Sequence, residues 1–107
     1  MSDAFDKRKT AAEAKFKNDE EFKFKVIARR NKLLGMWAAE LMNMNSTEAE
    51  SYAKQVVVAD FEEPGDDDVL RKVFEDLKQK GHSVAEAEIR AQMEKLIGDA
   101  TAQLASE

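Results

Sequence analysis

The sequence predicts an all-α fold: a four-helix bundle, antiparallel with short turns, plus a mobile N-terminal arm. Three observations predict it. Apolar residues recur at helical spacing through four successive segments of a 107-residue chain, one domain's length. The chain is rich in charge (36%), has one Pro and four Gly, and contains few β-branched residues. Each predicted helix is bounded by capping or turn residues, and the connections are short enough to make neighbours antiparallel. The hydrophobic fraction, 43%, is too high for a disordered protein.

Residues 1–17 form the arm. Phe5, Ala12 and Phe16 sit at helical spacing, but the stripe is thin. Lys7, Arg8, Lys9, Lys15 and Lys17 outnumber Asp6 and Glu13, so the segment is basic within a chain of net charge -5. A stripe this narrow buries too little to hold a helix alone. The segment is expected to fray, or to become helical only on contact with a partner.

The bundle proper is placed at 18–107. Its first helix is expected over 19–44, with Asn18 as N-cap, Glu21 completing a capping box, and Asp19, Glu20 and Glu21 against the positive helix end. Ile27, Leu34 and Leu41 mark its stripe, with Phe24, Val26 and Ala38 beside them. Gly35 in its interior costs about 1 kcal/mol relative to Ala, which points to a close helix crossing or a bend. Asn45 and Ser46 form a turn, and a second helix spans 47–62, capped by Ser46 or by a Thr47–Glu50 box. Its inner face is Ala49, Tyr52, Ala53, Val56 and Val57; the run Val56–Val58 is too short to argue a strand. Pro64 and Gly65 make a loop.

A third helix spans 67–80. Asp66, Asp67 and Asp68 serve its start, Val69, Leu70, Val73, Phe74 and Leu77 form its apolar face, and Gly81 closes its end. Ser83 and Glu86 suggest a capping box for the last helix, 84–104, which uses Ala85, Ile89, Met93, Leu96, Ile97, Ala100 and Leu104. No segment repeats another.

Several function classes lack support. There is no cysteine, which excludes a thiolate nucleophile, a zinc–thiolate site and a disulfide. Neither GxxxxGK[ST] nor GxGxxG occurs. His82, the single histidine, lies in a turn, where a solvated side chain is the plainer reading than a base or ligand. One histidine cannot build a di-iron bundle site. The acidic run Asp60–Asp68 looks briefly like a calcium loop but is broken by Pro64; helix capping and a solvated loop explain it. No catalytic residue, metal site or cofactor is therefore expected. Net acidity weighs against nucleic acid. No secretory signal and no span of about 18 apolar residues is present, so the protein is expected in the cytoplasm, without membrane insertion.

Arg29, Arg30 and Lys32 stand in the middle of the longest apolar-rich stretch. They read first as a solvated face snorkelling over the stripe, and otherwise as a site for phosphate or a partner carboxylate. Met36, Trp37, Met42 and Met44 read as core filler. If Arg29, Arg30 and Lys32 met phosphates while Trp37 or Tyr52 stacked a base, the protein would be a nucleotide sensor with weak purine nucleotide binding. A general helical adaptor is a third reading.

The words of the chain then carry further. FDKRKTAAEAKF, NDEEFKFKVIARRNKLLGMWAAELM, YAKQVVVADFEEPGDDDVLRKV and the helix around EIRAQMEKL resemble, in order and over essentially the whole chain, the zeta subunit of the alphaproteobacterial ATP synthase. This resemblance implies a regulator rather than an enzyme: an inhibitor of the F-type ATPase whose N-terminal arm inserts into the catalytic head, between a catalytic interface and the central shaft. Its partners would be the alpha, beta and gamma subunits. Hydrolysis would be blocked while synthesis is largely spared. The free protein would be a monomer, associated peripherally with the membrane-bound synthase when engaged. The arm matches at Phe5, Asp6, Arg8, Lys9, Glu13, Lys15 and Phe16; Lys7 and Lys17 add to its cationic character.

Overall fold

A computed structural model of the chain describes residues 20–62 and 65–107. Expectations placed on residues 1–19, including the whole arm and the Asn18 cap, lie outside them. The described residues form four helices and no strand: α1 (Glu20–Leu41), α2 (Ser46–Glu62), α3 (Asp66–Gln79) and α4 (Glu86–Ser106). The run Val56–Val58 is helical, as read from the sequence. α1 packs against all three other helices, most extensively against α2.

The boundaries shift from those expected, each for a local reason. α1 ends at Leu41, not residue 44. Asn43 adopts φ 58°, and the Asn43 and Met44 amides donate to the Glu40 and Ala39 carbonyls at 3.1 and 3.0 Å. That is a Schellman closure, with Asn taking the left-handed position that Gly usually fills. The next cap is then Asn45, not Ser46 or Thr47. The Glu48 amide donates to Asn45 Oδ1 at 2.8 Å, and the Asn45 amide donates to Glu48 Oε1 at 3.0 Å, a reciprocal capping box. α3 ends as expected at Gly81 (φ 85°), where the Gly81 and His82 amides donate to the Lys78 and Leu77 carbonyls. The Ser83–Glu86 box does not form. Ala85 is the extended N-cap without a side-chain bond, so α4 begins at Glu86 rather than 84 and runs to Ser106.

The core lies in two clusters. The larger joins all four helices through Leu34, Ala38, Val56, Val73, Leu77, Ile89 and Met93; the smaller joins the start of α1 to α4 through Phe22, Val26 and Ala100. Gly35 marks the α1–α2 crossing. A Cβ built there would lie 2.6 Å from the Ala53 Cα, so only glycine permits this approach. The short turn and this crossing make α1 and α2 an antiparallel hairpin.

The buried stripe of α1 is not the one read from Ile27, Leu34 and Leu41. It runs Phe22, Val26, Arg30, Leu34, Ala38, in steps of four. Phe24, placed beside the stripe by the sequence reading, is exposed. Ile27 and Leu41 are half-buried. In α4, Ala85 and Ile97, both assigned to the inner face, face solvent.

Candidate functional site

The first half of α1 carries the cationic cluster and begins where the undescribed N-terminal segment ends. Arg29, Arg30 and Lys32 have different surroundings, because a helix turns 100° per residue. Arg30 falls on the four-residue stripe between Val26 and Leu34 and is fully buried. The solvated-face reading is therefore wrong for it. Its Nη2 donates to Asp66 Oδ1 at 2.8 Å, and its Nε donates to Asn31 Oδ1 at 2.9 Å. Asp66, at the start of α3, stays about half exposed, so the ion pair lies at the edge of the core. The carboxylate that Arg30 meets belongs to this chain. Asn31 is also buried, and its Nδ2 has no partner among the described residues.

Arg29 points a different way. Its Nη1 donates to Gln103 Oε1 at 2.8 Å and its Nη2 to Glu107 Oε2 at 2.7 Å, which ties α1 to the end of α4. Arg29 and the exposed Lys32 share a groove of about 540 Å³ with Phe22, Lys25 and Leu104. The groove thus has an apolar floor and a cationic rim.

The two aromatic residues proposed for base stacking lie elsewhere. Trp37 is half-buried against the main core. Tyr52 is buried, its hydroxyl donates to Asp76 Oδ2 at 2.8 Å, and Lys72 Nζ donates to the same oxygen at 3.1 Å. Lys72 also stands 5.5 Å from the Tyr52 ring centroid. Burial pushes the Tyr52 pKa up from its ordinary value, and the hydrogen bond to and charge of Asp76 push it further. The hydroxyl is a strut between α2 and α3. The structure brings Arg29 and Lys32 together, and separates them from Arg30, Trp37 and Tyr52.

The three aspartates of the acidic run that open α3 are ion-paired. Asp66, Asp67 and Asp68 meet Arg30, Arg90 and Arg71, at 2.8, 3.1 and 3.3 Å. His82 is half-buried beside Phe74 and Val84. Among the described residues, no group of three or more His, Asp or Glu side chains could hold a metal ion. No helix of the described residues is long and apolar enough to cross a membrane.

The sequence reading missed one surface feature. Phe24 and Phe61 are both more than half exposed, yet their rings lie 5.2 Å apart between centroids, at 33°. The sequence sets Phe24 beside the apolar stripe, and the four-residue register of the buried positions places it outside. The candidate arm residues Phe5, Asp6, Lys7, Arg8, Lys9, Glu13, Lys15, Phe16 and Lys17 lie outside the described residues.

A family model described as "ATPase inhibitor subunit zeta" matches residues 1–103. One solved structure, described as "Solution NMR structure of the protein", is 50% identical with a TM-score of 0.71, over 79% of this chain and 96% of that one. No curated protein sequence matches.

Proposed function

The chain belongs to the ATPase inhibitor subunit zeta family, and from that premise we propose that it blocks ATP hydrolysis by the F-type ATP synthase through its N-terminal arm. In this reading residues 1–17 insert into the catalytic head, among the alpha, beta and gamma subunits, and the four helices act as the handle. The protein is a regulator and performs no chemistry of its own. It associates with the synthase from the membrane periphery.

The observation that carries the reading is the extent of the family match: it runs from residue 1, through the arm as well as the bundle. The physics is compatible. A segment whose stripe is Phe5, Ala12 and Phe16 buries little alone but gains a face in a cleft. Burying each phenylalanine there contributes about 1.5–3 kcal/mol. Lys7, Arg8, Lys9, Lys15 and Lys17 steer the arm to an acidic surface. α1, which starts at Glu20, offers a continuous helix onto which the arm can extend. Deleting residues 1–17 should abolish inhibition while leaving the helical circular dichroism of the bundle nearly intact. Full inhibition by the truncated protein would overturn the assignment of the arm.

A second reading, weak purine nucleotide binding, draws on the cationic rim of the α1–α4 groove. Lys32 would supply a phosphate contact there, joined by Arg29 on exchanging Gln103 and Glu107 for the ligand; Arg30 is committed to Asp66 and Tyr52 to Asp76. Titration with ATP or ADP should then move amides from Lys25 to Lys32 and near Leu104. Saturable shifts centred on Tyr52 or Trp37 instead would contradict this placement.

A further inference from the structure

Phe24 and Phe61 are 54% and 52% exposed, and Val58, one turn before Phe61, is 48% exposed. The two rings pack together, so the three side chains make one apolar patch across α1 and α2. The patch has a charge at each end. Glu20 stands one turn before Phe24 on α1, and Lys54 one turn before Val58 on α2, both exposed. Because α1 and α2 run antiparallel, the row reads Glu20, Phe24, Phe61, Val58, Lys54: an acid, an apolar centre and a base.

The other charges nearby are engaged within the chain. Lys25 pairs with Glu21 at 3.4 Å, and Lys72 with Asp76 at 3.1 Å. Asp60 is half-buried and accepts from the Gly65 amide at 3.5 Å. Lys23 reaches Glu20 only at 3.9 Å, with both side chains well exposed. Lys54 has no ionic partner among the described residues. Beside it the surface is concave, where Lys54, Val58, Ala59 and Lys72 line a groove of about 490 Å³.

Such a row is complementary to itself. A two-fold axis crossing it at Phe61 lays one copy's row on the other's in reverse. Phe24 of each copy then comes over the groove beside the other copy's Val58, and each Glu20 meets the other copy's Lys54. Glu20 lies about 6 Å beyond Phe24, and Lys54 about 6 Å beyond Val58, so both ends fall into register together. A partner of a single charge would satisfy one end of the row and oppose the other. We propose that this face is the contact between two copies of the chain in a weak isologous dimer, with Phe24, Val58 and Phe61 at its centre and two Glu20–Lys54 pairs at its rim. Three apolar side chains per copy fall short of the roughly 800 Å² per partner of a standard interface. The dimer therefore forms only in concentrated protein and dissociates on dilution.

Sedimentation velocity of the full chain tests this. The average mass should rise toward that of a dimer between about 10 µM and about 1 mM chain. The double variant Phe24→Ser/Phe61→Ser, whose side chains are exposed, should keep its helical circular dichroism and stay monomeric at about 1 mM. Glu20→Lys and Lys54→Glu should each weaken association by roughly tenfold, since two symmetry-related pairs become like-charge contacts. Mixed in equal amounts, these two variants should associate at least as tightly as the parent, because one supplies two cations and the other two carboxylates. A general loss of structure could not produce that restoration. A parent that is monomeric at about 1 mM, a double variant that associates like the parent, or a mixture that fails to restore association would each overturn the proposal. Shifts of the Phe24 and Phe61 amides with anionic phospholipid vesicles, in a parent that does not self-associate, would assign the face to a membrane surface and overturn it too.

Discussion

Replacing Asp66 with alanine should cost this protein more than replacing either neighbouring aspartate. The Arg30 guanidinium is fully buried, and Asp66 is its one charged partner among the described residues. The substitution removes a charge-assisted hydrogen bond, about 1.5–3 kcal/mol, and a first-turn acid of α3, about 0.3–1 kcal/mol. Stranding a buried charge completely costs about 3–5 kcal/mol. Because Asp66 is about half exposed, water can reach the vacated place, and the cost should settle near 2–4 kcal/mol. Asp67→Ala is the control: its pair with Arg90 is exposed on both sides and should be worth less than about 1 kcal/mol. Arg30→Met keeps the bulk and removes the charge. It leaves Asn31 Oδ1 without its donor but abolishes a desolvated cation, so its net effect should fall within about 1.5 kcal/mol of zero. In the Arg30→Met background, Asp66→Ala should lose most of its penalty, giving a coupling of about 2 kcal/mol. Urea unfolding followed by far-ultraviolet circular dichroism measures all four variants. An Asp66→Ala protein no less stable than Asp67→Ala would refute the account of Arg30 as a buried cation held by Asp66.

Other outcomes follow from the packing. Gly35→Ala should destabilise, since overpacking against the Ala53 backbone costs about 1–3 kcal/mol, more than the helix-propensity gain of about 1 kcal/mol. Gly98→Ala, with nothing within 4 Å of the new methyl, should stabilise by about 0.5–1 kcal/mol; chemical denaturation of the pair checks both signs. Tyr52 is the only tyrosine, so its ionisation can be followed in the tyrosinate absorbance band. Its folded pKa lies above the ordinary 10.0, so the unfolded chain loses the proton first and the stabilisation, intact below that value, is lost as pH rises beyond it. Native protein should therefore show no tyrosinate at pH values just above 10.0, and Tyr52→Phe should flatten the alkaline loss of stability; a normal titration without unfolding would contradict the buried hydroxyl.

The helix count, the turns and two of the glycines could be read from the sequence because each rests on local chemistry. Gly81 takes a left-handed φ and Gly35 sits at a close crossing, as a glycine in those places requires. Capping was less legible, since Asn45–Glu48 and Thr47–Glu50 have the same spacing. The choice falls to Asn45 because the Schellman closure at Asn43 and Met44 ends just before it. α4 starts late because residues 82–85 stay outside any helix and Ala85, its N-cap, is extended.

The hardest element was Arg30. Reading α1 in steps of seven, through Ile27, Leu34 and Leu41, leaves Arg30 at the edge of the stripe, where a long cation can still snorkel to water. Packing in steps of four, through Phe22, Val26, Leu34 and Ala38, places Arg30 in the core and turns Phe24 outward. Both registers share Leu34, and the helices that decide between them are distant in sequence. Arg30's partner, Asp66, is thirty-six positions away, and nothing at Arg30 alone announces it.

Inhibition itself is tested most directly on purified cognate F-type ATPase, with ATP hydrolysis measured against increasing amounts of the full chain and of the chain lacking residues 1–17. The full chain should suppress hydrolysis in a saturable way, and the truncated chain, with its helical signal retained, should not. Unchanged hydrolysis at saturating full-length protein, or equal suppression by both forms, would contradict an inhibitor that works through its N-terminal arm.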